Sequence, residues 1–219
     1  MVMKRLVFIV EGDCEVAFVE RMLIPYLYAN ASQHADGWFF NAQKITTNRK
    51  LNKKGGNISY AYLKNEVARV IAQGGEVWIT TFLDFFRLPV DFPGYDGMGK
   101  DITRIEEAVK ADIGYGRLLP YIQKYEFETL LFSSIAGFEL LLDDKHKIHQ
   151  VKEIIDSYGN AEDINGGAST APSKRLRGIF DYNKTADSDL ILSETDIDSI
   201  RAKCPRFNAW VARLLEIVS

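Results

Sequence analysis

The chain has 219 residues, of which 47% are hydrophobic and 26% charged, and its formal net charge is -3 at pH 7. A chain of this length can bury a sizeable core, and its composition excludes a wholly disordered chain, a collagen-like fibre and a disulfide scaffold. The chain has 30 acidic and 27 basic residues, which disfavours a protein that coats DNA through excess positive charge. A local basic patch is still compatible with this composition.

The first elements predict a strand, a glycine turn and a helix. Residues 5–10 form an apolar run that is typical of a strand buried on both faces. Residues 11–13 predict a turn, and residues 14–28 place apolar side chains at helical spacing, with Asp13 as the expected N-cap. Strand, turn and helix in this order predict an α/β fold with a parallel sheet.

The rest of the chain continues this pattern and then becomes helical. The sequence predicts further strands over 38–45, 77–83 and 117–122, helices over 60–73 and 102–112, and loops over 46–57 and 87–100. Later segments are mostly helical, over 130–132, 138–142, 148–158, 174–180 and 205–218. We therefore predict a mainly parallel sheet flanked by helices over residues 1–134, with a helical C-terminal portion, residues 135–219, packed on the same domain.

The two cysteines and the hydropathy pattern bear on location. Cys14 and Cys204 lack the spacing and the histidine neighbours of a zinc site, so we expect buried, reduced thiols in a cytoplasmic protein. No apolar stretch approaches the length that spans a membrane, so no membrane partner is expected.

Carboxylates follow the predicted strands where each strand ends. Glu11 directly follows the first strand, and Asp84 directly follows the strand over 77–83. Glu15 comes four residues after Glu11, in the first turn of the helix, and can lean back over the same edge. Because the carboxyl ends of parallel strands meet at one edge, these acids should converge there. Converging carboxylates repel one another, and a hard cation such as Mg2+ or Mn2+ relieves the repulsion.

Two further acids, Glu126 and Glu128, follow the third candidate strand. They share one face if the segment is extended, and they do not if it begins a helix. For any single acid of this kind, a role at a helix N-terminus is the commoner explanation. The combination of Glu11, Glu15 and Asp84 on matched elements is what favours a metal site.

Several motifs resemble a known family. Residues 10–19, VEGDCEVAFV, resemble the first motif of a Toprim domain, which places a Glu after a hydrophobic strand and is shared by topoisomerases, primases and OLD-family (overcoming lysogenisation defect) nucleases. Together with further motifs, this segment resembles a bacterial family of standalone Toprim-like proteins catalogued as a domain of unknown function. The resemblance covers nearly the whole chain. The further motifs, in chain order, are residues 80–84, 87–89, 92–94, 125–132, 171–175 and 204–210.

The resemblance implies magnesium-dependent phosphodiester chemistry. Toprim domains hold Mg2+ with a first-motif Glu and an Asp-x-Asp pair, and Glu11 and Asp84 match the Glu and the first Asp. Phe86 stands where the second Asp is expected, so a two-metal site needs further oxygen ligands. Glu15 with Glu126 or Glu128 would supply them, as extra Glu residues do in OLD-like nucleases. The resemblance also implies a separate ABC-type ATPase partner, encoded in an anti-phage defence gene pair.

This hypothesis assigns roles to the acids. The catalytic residues are Glu11, Glu15, Asp84, Glu126 and Glu128, and the metal ligands are the same residues without Glu126. Two divalent ions about 4 Å apart can stabilise both the attacking and the leaving oxygen of a phosphodiester. No histidine base is needed, and the three histidines are expected at the surface: His34, His146 and His149.

Lysines and arginines would then bind the nucleic-acid backbone, and DNA is favoured over RNA. A basic run without an intervening acid contains Lys44, Arg49, Lys50, Lys53 and Lys54. It predicts either a phosphate-binding loop or a solvated loop. Lys174 and Arg175 follow Pro172 and Ser173 at a predicted helix N-terminus, where backbone N–H groups favour an anion. Lys184 is a further candidate of the same kind.

Three functions therefore remain open. The first is Mg2+-dependent cleavage of nucleic acid by a nuclease subunit coupled to an ATPase. The second, favoured by the missing second Asp, is a non-catalytic Toprim-derived module that binds or regulates a partner. The third is hydrolysis of a small phosphoester, which a deep enclosed pocket would favour over an open basic groove.

Overall fold

The computed structural model describes residues 4–31, 37–48, 53–54, 58–164, 167 and 169–219. The chain divides into two compact units. The N-terminal unit comprises residues 1–122 and 217–219, and the C-terminal unit comprises residues 123–216. The boundary that the sequence predicts, at residue 134, lies further along the chain than this division.

The N-terminal unit alternates strands and helices. One helical stretch runs from α1 to α2 through a π-helical segment, Val19–Leu23. The elements in chain order are β1 Lys4–Val10, α1 Asp13–Phe18, α2 Ile24–Asn30, β2 Trp38–Lys44, β3 Thr46–Asn48, β4 Lys53–Lys54, α3 Tyr60–Ala72, β5 Glu76–Asp84, α4 Ile102–Ile113 and β6 Leu118–Leu119, with β7 Ile122–Gln123 at the division between the units.

The sheet of this unit is parallel, in the order β2-β1-β5-β6. Its central strand, β1, is buried from Leu6 to Val10, as expected for a strand covered on both faces. Val10 is the register partner of Lys44 on one side and of Phe82 on the other. The predicted α/β class, with a parallel sheet flanked by helices, is confirmed.

The connections of this sheet reverse direction at β1. The chain passes from β1 outward to β2 and then returns across β1 to β5. Right-handed crossovers place α1 and α2 on one face and α3 and α4 on the other. Two contacts join α3 to α4: the Tyr60 hydroxyl donates to Asp112 at 2.6 Å, and Lys64 pairs with the same carboxylate at 2.8 Å.

The C-terminal unit is helical, as the sequence predicts. Its core contains Phe127, Phe132, Phe138 and Phe207, all fully buried. The elements are α5 Ala136–Leu141, α6 Lys145–Ser157, α7 Pro172–Ile179, α8 Lys184–Ser193, α9 Ile197–Lys203 and α10 Pro205–Val218, with 3-10 turns at Phe127–Ser133 and Ala161–Asp163. Within the described residues, no helix combines the length and the apolar character needed to cross a bilayer.

Some predicted elements need correction. The loop predicted over 46–57 contains the antiparallel pair β3 and β4, whose short polar strands carry no alternation. The strand predicted over 117–122 is two short strands, β6 and β7. Two helices, α8 and α9, were missing from the prediction. Their starts are fixed by Asn183 and Asp196, whose side chains accept backbone N–H groups of the first turn.

Both cysteines are buried and carry free thiols. Cys204 Sγ lies 3.6 Å from Ser133 Oγ, and burial raises the pKa of its thiol far above the usual range. The environment of Cys204 therefore disfavours a reactive thiolate.

The contact between α5 and α8 yields a stability prediction. A Cβ built on Gly137 would overlap the carbonyl group of Ile191, so only glycine lets these two helices approach so closely. We expect Gly137→Ala to lower the free energy of unfolding by roughly 1–3 kcal/mol or more, the cost of overpacking a core. Chemical denaturation measures this change.

The matched control is Gly178→Ala in α7. Among the described residues, no heavy atom lies within 4 Å of a Cβ built there. This change should be neutral or stabilising by up to about 1 kcal/mol, because alanine favours helix more than glycine does. Equal effects of the two substitutions would contradict the proposed close approach.

Candidate functional site

The carboxyl ends of β1 and β5 lie side by side at one edge of the sheet. These strands are neighbours, and the helices that follow them lie on opposite faces, which is the arrangement where α/β proteins place their ligands. Glu11 directly follows β1, and Asp84 is the last residue of β5. Val10 and Phe82 are register partners, so Glu11 is level with Leu83 and Asp84 lies one residue further along β5. Neighbouring strands of a sheet are about 4.8 Å apart. Both side chains are partly exposed.

Glu15 also lies at this edge, because its side chain folds back over the turn between β1 and α1. Its relative exposure is 2%, and a Cβ built on Gly12 would lie 2.7 Å from Glu15 Oε2. Gly12 has φ -136°, which any residue adopts, so what a Cβ there would disturb is the present position of the Glu15 carboxylate. The turn therefore accommodates a buried carboxylate beside Glu11.

Lys44 supplies a cation at the same edge. Its Nζ lies 2.5 Å from Asp13 Oδ1, and Lys44 is the register partner of Val10. The N-cap of α1 is Gly12, and Asp13 is the first helical residue, so the predicted cap at Asp13 was wrong. The Asp13 carboxylate pairs with Lys44 across the sheet edge.

A second cation, Arg87, lies just beyond β5. It follows position 86, where the Asp-x-Asp motif of Toprim domains would have its second Asp. Phe86 occupies that position, and the Arg87 guanidinium lies over its ring at 5.3 Å. Arg87 is exposed and has φ 65°, a left-handed conformation that is uncommon outside glycine. A phenylalanine and an arginine thus replace the expected carboxylate. The sequence could have indicated this cation near the strand end, because Arg87 follows Asp84 by three residues.

Glu126, in the C-terminal unit, binds the start of α7. Its carboxylate accepts the backbone N–H of Ser173 at 2.9 Å and the Ser173 hydroxyl at 3.0 Å. The anion at this helix N-terminus is therefore Glu126. Arg175 donates to the Thr170 carbonyl at 2.9 Å and lies over the Tyr158 ring, whereas Lys174 is exposed.

Glu128, in the same unit, pairs with a lysine. Its carboxylate is 2% exposed, and its Oε2 lies 3.5 Å from Lys184 Nζ. Lys184 also lies over the Phe127 ring at 5.6 Å. A predicted metal ligand and a predicted nucleic-acid-binding lysine thus neutralise each other.

Of the remaining basic and histidine residues named in the sequence analysis, some lie in the described parts of the chain and others outside them. Lys53 and Lys54 form β4, which pairs with β3. His146 and His149 are exposed, as expected. Outside the described residues lie Lys50, Arg49 and His34.

The donor set at the sheet edge is compatible with Mg2+. Within the described part of the chain, no group of three or more His, Cys, Asp or Glu side chains could hold a metal ion. Mg2+ commonly keeps several waters and binds through one or two carboxylates together with substrate phosphates. Glu11 and Asp84, at the ends of adjacent strands, are the two carboxylates that would hold such an ion.

Sequence reasoning missed two buried carboxylates. The first, Glu66 of α3, accepts hydrogen bonds from Gln43 Nε2 at 2.8 Å and Thr46 N at 3.3 Å, and it pairs with Arg69. The sequence could have indicated its burial, because Glu66 lies on the apolar stripe of α3 beside Leu63 and Val67.

The second is Glu162, which is 1% exposed and binds the start of α10. It accepts the backbone N–H groups of Arg206 at 2.8 Å and Phe207 at 3.1 Å. Burial raises the pKa of Glu162 above its ordinary value of 4.5, and this effect outweighs the two hydrogen bonds and the nearby positive charges.

Comparison with known proteins gave one match. A family model described as a domain of unknown function (DUF4276) matches residues 10–215. Neither the curated proteins nor the solved structures gave a match.

Glu162 yields a prediction about pH. Because its pKa is raised in the folded protein, its contribution to stability is fully present below 4.5 and is lost as pH rises through the folded pKa. We therefore expect the free energy of unfolding of the wild type, relative to Glu162→Gln, to fall as pH rises above 4.5. Urea titrations of both proteins measure it.

The control for this prediction is Glu194→Gln, which neutralises an exposed carboxylate of the same unit. Its difference from the wild type should change less with pH than that of Glu162→Gln. A difference for Glu162→Gln that stays constant, or that grows in favour of the wild type as pH rises, would refute the assignment.

Proposed function

Because the chain belongs to a family described only as a domain of unknown function (DUF4276), we propose a function from its own site: Mg2+-dependent cleavage of nucleic-acid phosphodiester bonds. The observation that carries this proposal is the placement of Glu11 and Asp84 at the carboxyl ends of adjacent parallel strands. Their position at the reversal of the sheet is where α/β folds bind ligands.

Charges around this edge support a phosphate substrate. Glu11 and Asp84 would hold the ion, and the buried Glu15 carboxylate beside them adds negative charge that favours it. Bound Mg2+ would stabilise negative charge on the phosphate oxygens. Arg87 is an exposed cation just beyond β5 and would contact the nucleic-acid backbone, whereas the charge of Lys44 is paired with Asp13.

The proposal also includes the context implied by the Toprim resemblance. We propose a cytoplasmic nuclease subunit that acts on DNA and depends on a separate ABC-type ATPase in a defence system. A net charge of -3 favours such a division of labour, because the chain alone has little nonspecific attraction for DNA.

A second candidate is a non-catalytic module that binds a partner. Two observations favour it: Phe86 replaces the second Asp, and Glu128 is paired with Lys184. Glu126 likewise binds the start of α7, so the two predicted catalytic acids of the C-terminal unit both have roles in the fold.

The two candidates differ in the effect of neutralising the edge acids. We expect Glu11→Gln and Asp84→Asn each to lower Mg2+-dependent or Mn2+-dependent cleavage of DNA by at least about 100-fold, because each removes a metal ligand. Nicking and single-strand cleavage assays measure this, with and without the ATPase. Isothermal titration with Mn2+ should show weaker binding by both variants.

The matched control is Glu20→Gln, which neutralises an exposed acid of the N-terminal unit and should keep full activity. Wild-type protein that binds Mn2+ but cleaves no DNA under any condition would support the binding module. Turnover of bis-p-nitrophenyl phosphate without turnover of DNA would instead support hydrolysis of small phosphoesters.

A further inference from the structure

A cleft lies between α3 and β3 in the N-terminal unit. It has a volume of about 280 Å³ and is lined by Thr46, Thr47, Tyr62, Asn65, Glu66 and Arg69. The helical residues are spaced three or four apart and form one stripe of α3. The N–H of Ile45 donates to the carbonyl of Val10 at 3.0 Å, so Thr46 lies beside the end of β1. This α3 cleft therefore lies near the end of β1, the strand that Glu11 follows.

The charges within the α3 cleft cancel. Glu66 is buried and pairs with Arg69, and its oxygens also accept from Gln43 and from the backbone of Thr46. The described side chains that line the cleft carry no surplus positive charge, so they offer little attraction for a phosphate group. Its polar lining suits an uncharged ligand with hydrogen-bonding edges.

One lining atom has no partner among the residues that the structure describes. Within the described part of the chain, Thr46 Oγ1 is buried and makes no hydrogen bond. A buried hydroxyl in this state is destabilising, and a ligand atom in the cleft would satisfy it. Beside it, Asn65 offers both a donor and an acceptor. The Tyr62 side chain is 38% exposed, so its ring offers a flat apolar face.

We propose that the α3 cleft binds one unstacked base of a single-stranded nucleic acid. The Tyr62 ring stacks on the base, and Thr46 and Asn65 bind its edge. Bases that are free of a duplex are recognised in this way, by aromatic stacking together with hydrogen bonds to exposed edges. The inference rests on the proposed nucleic-acid substrate and specifies it as a single strand whose backbone passes the Glu11 edge.

Binding in the absence of metal tests this proposal. Fluorescence anisotropy with a short fluorescein-labelled single-stranded DNA, in EDTA, measures affinity without cleavage. We expect Tyr62→Ala to weaken binding about 5- to 100-fold, the usual effect of losing one stacked base. Thr46→Val should weaken it several-fold while leaving the free energy of unfolding unchanged or higher, because Thr46 Oγ1 has no hydrogen bond to lose within the described residues.

The control is Phe39→Ala, which removes an exposed ring at the amino end of β2, away from the cleft, and should bind like the wild type. Wild-type affinity of both Tyr62→Ala and Thr46→Val for the single strand would overturn the proposal. So would competition by a mononucleotide that matches the oligonucleotide in affinity, since that outcome identifies a free nucleotide as the ligand.

The same experiment separates this inference from the proposed activity. Single-strand binding that depends on Tyr62, without metal-dependent cleavage, supports the base site and refutes the nuclease. Cleavage that depends on Glu11 but is unaffected by Tyr62→Ala, with unchanged single-strand affinity, refutes the base site and supports the nuclease.

Discussion

The parallel pairing of β1 with β5 is the constraint on which the candidate site depends. Val10 and Phe82 are register partners although a long stretch of chain separates them. Because β1 is buried on both faces, helices must cover both sides of the sheet, and the connections must reverse at this pair of strands. Such a reversal is where α/β folds place their ligands, and here Glu11 follows β1 and Asp84 ends β5.

Five acids of this chain illustrate two ways in which a carboxylate is accommodated. Glu66, Glu126 and Glu162 are buried, and each accepts a backbone N–H group from another element. Such acids stabilise the fold, since a buried carboxylate requires donors. Glu11 and Asp84 are partly exposed at the carboxyl edge of the sheet, where solvent can reach them. Exposure at the sheet reversal distinguishes a candidate functional acid from a structural one.

The sequence predicts those parts of the structure that depend on local pattern. Apolar runs predicted β1 and β5, and the positions of Glu11 and Asp84 after them followed from strand ends alone. The roles of Glu126 and Glu162 could not be predicted, because they depend on which distant helix start comes within hydrogen-bonding distance. The sequence also does not reveal that Lys184 pairs with Glu128, and Lys184 was therefore predicted to bind nucleic acid. The Asp13 cap failed because Lys44 offers that carboxylate an ion pair across the sheet edge.

The parallel sheet also explains why a base site and a phosphate site would lie together. Three adjacent strands end at the same edge: β2 leads to Thr46, β1 to Glu11, and β5 ends at Asp84. Since neighbouring strands are about 4.8 Å apart, these three ends span only about 10 Å. A single strand held at Thr46 by one base would therefore bring its backbone near Glu11 and Asp84. Binding of the base would position the phosphate, so a site with few protein ligands for the metal could still orient its substrate.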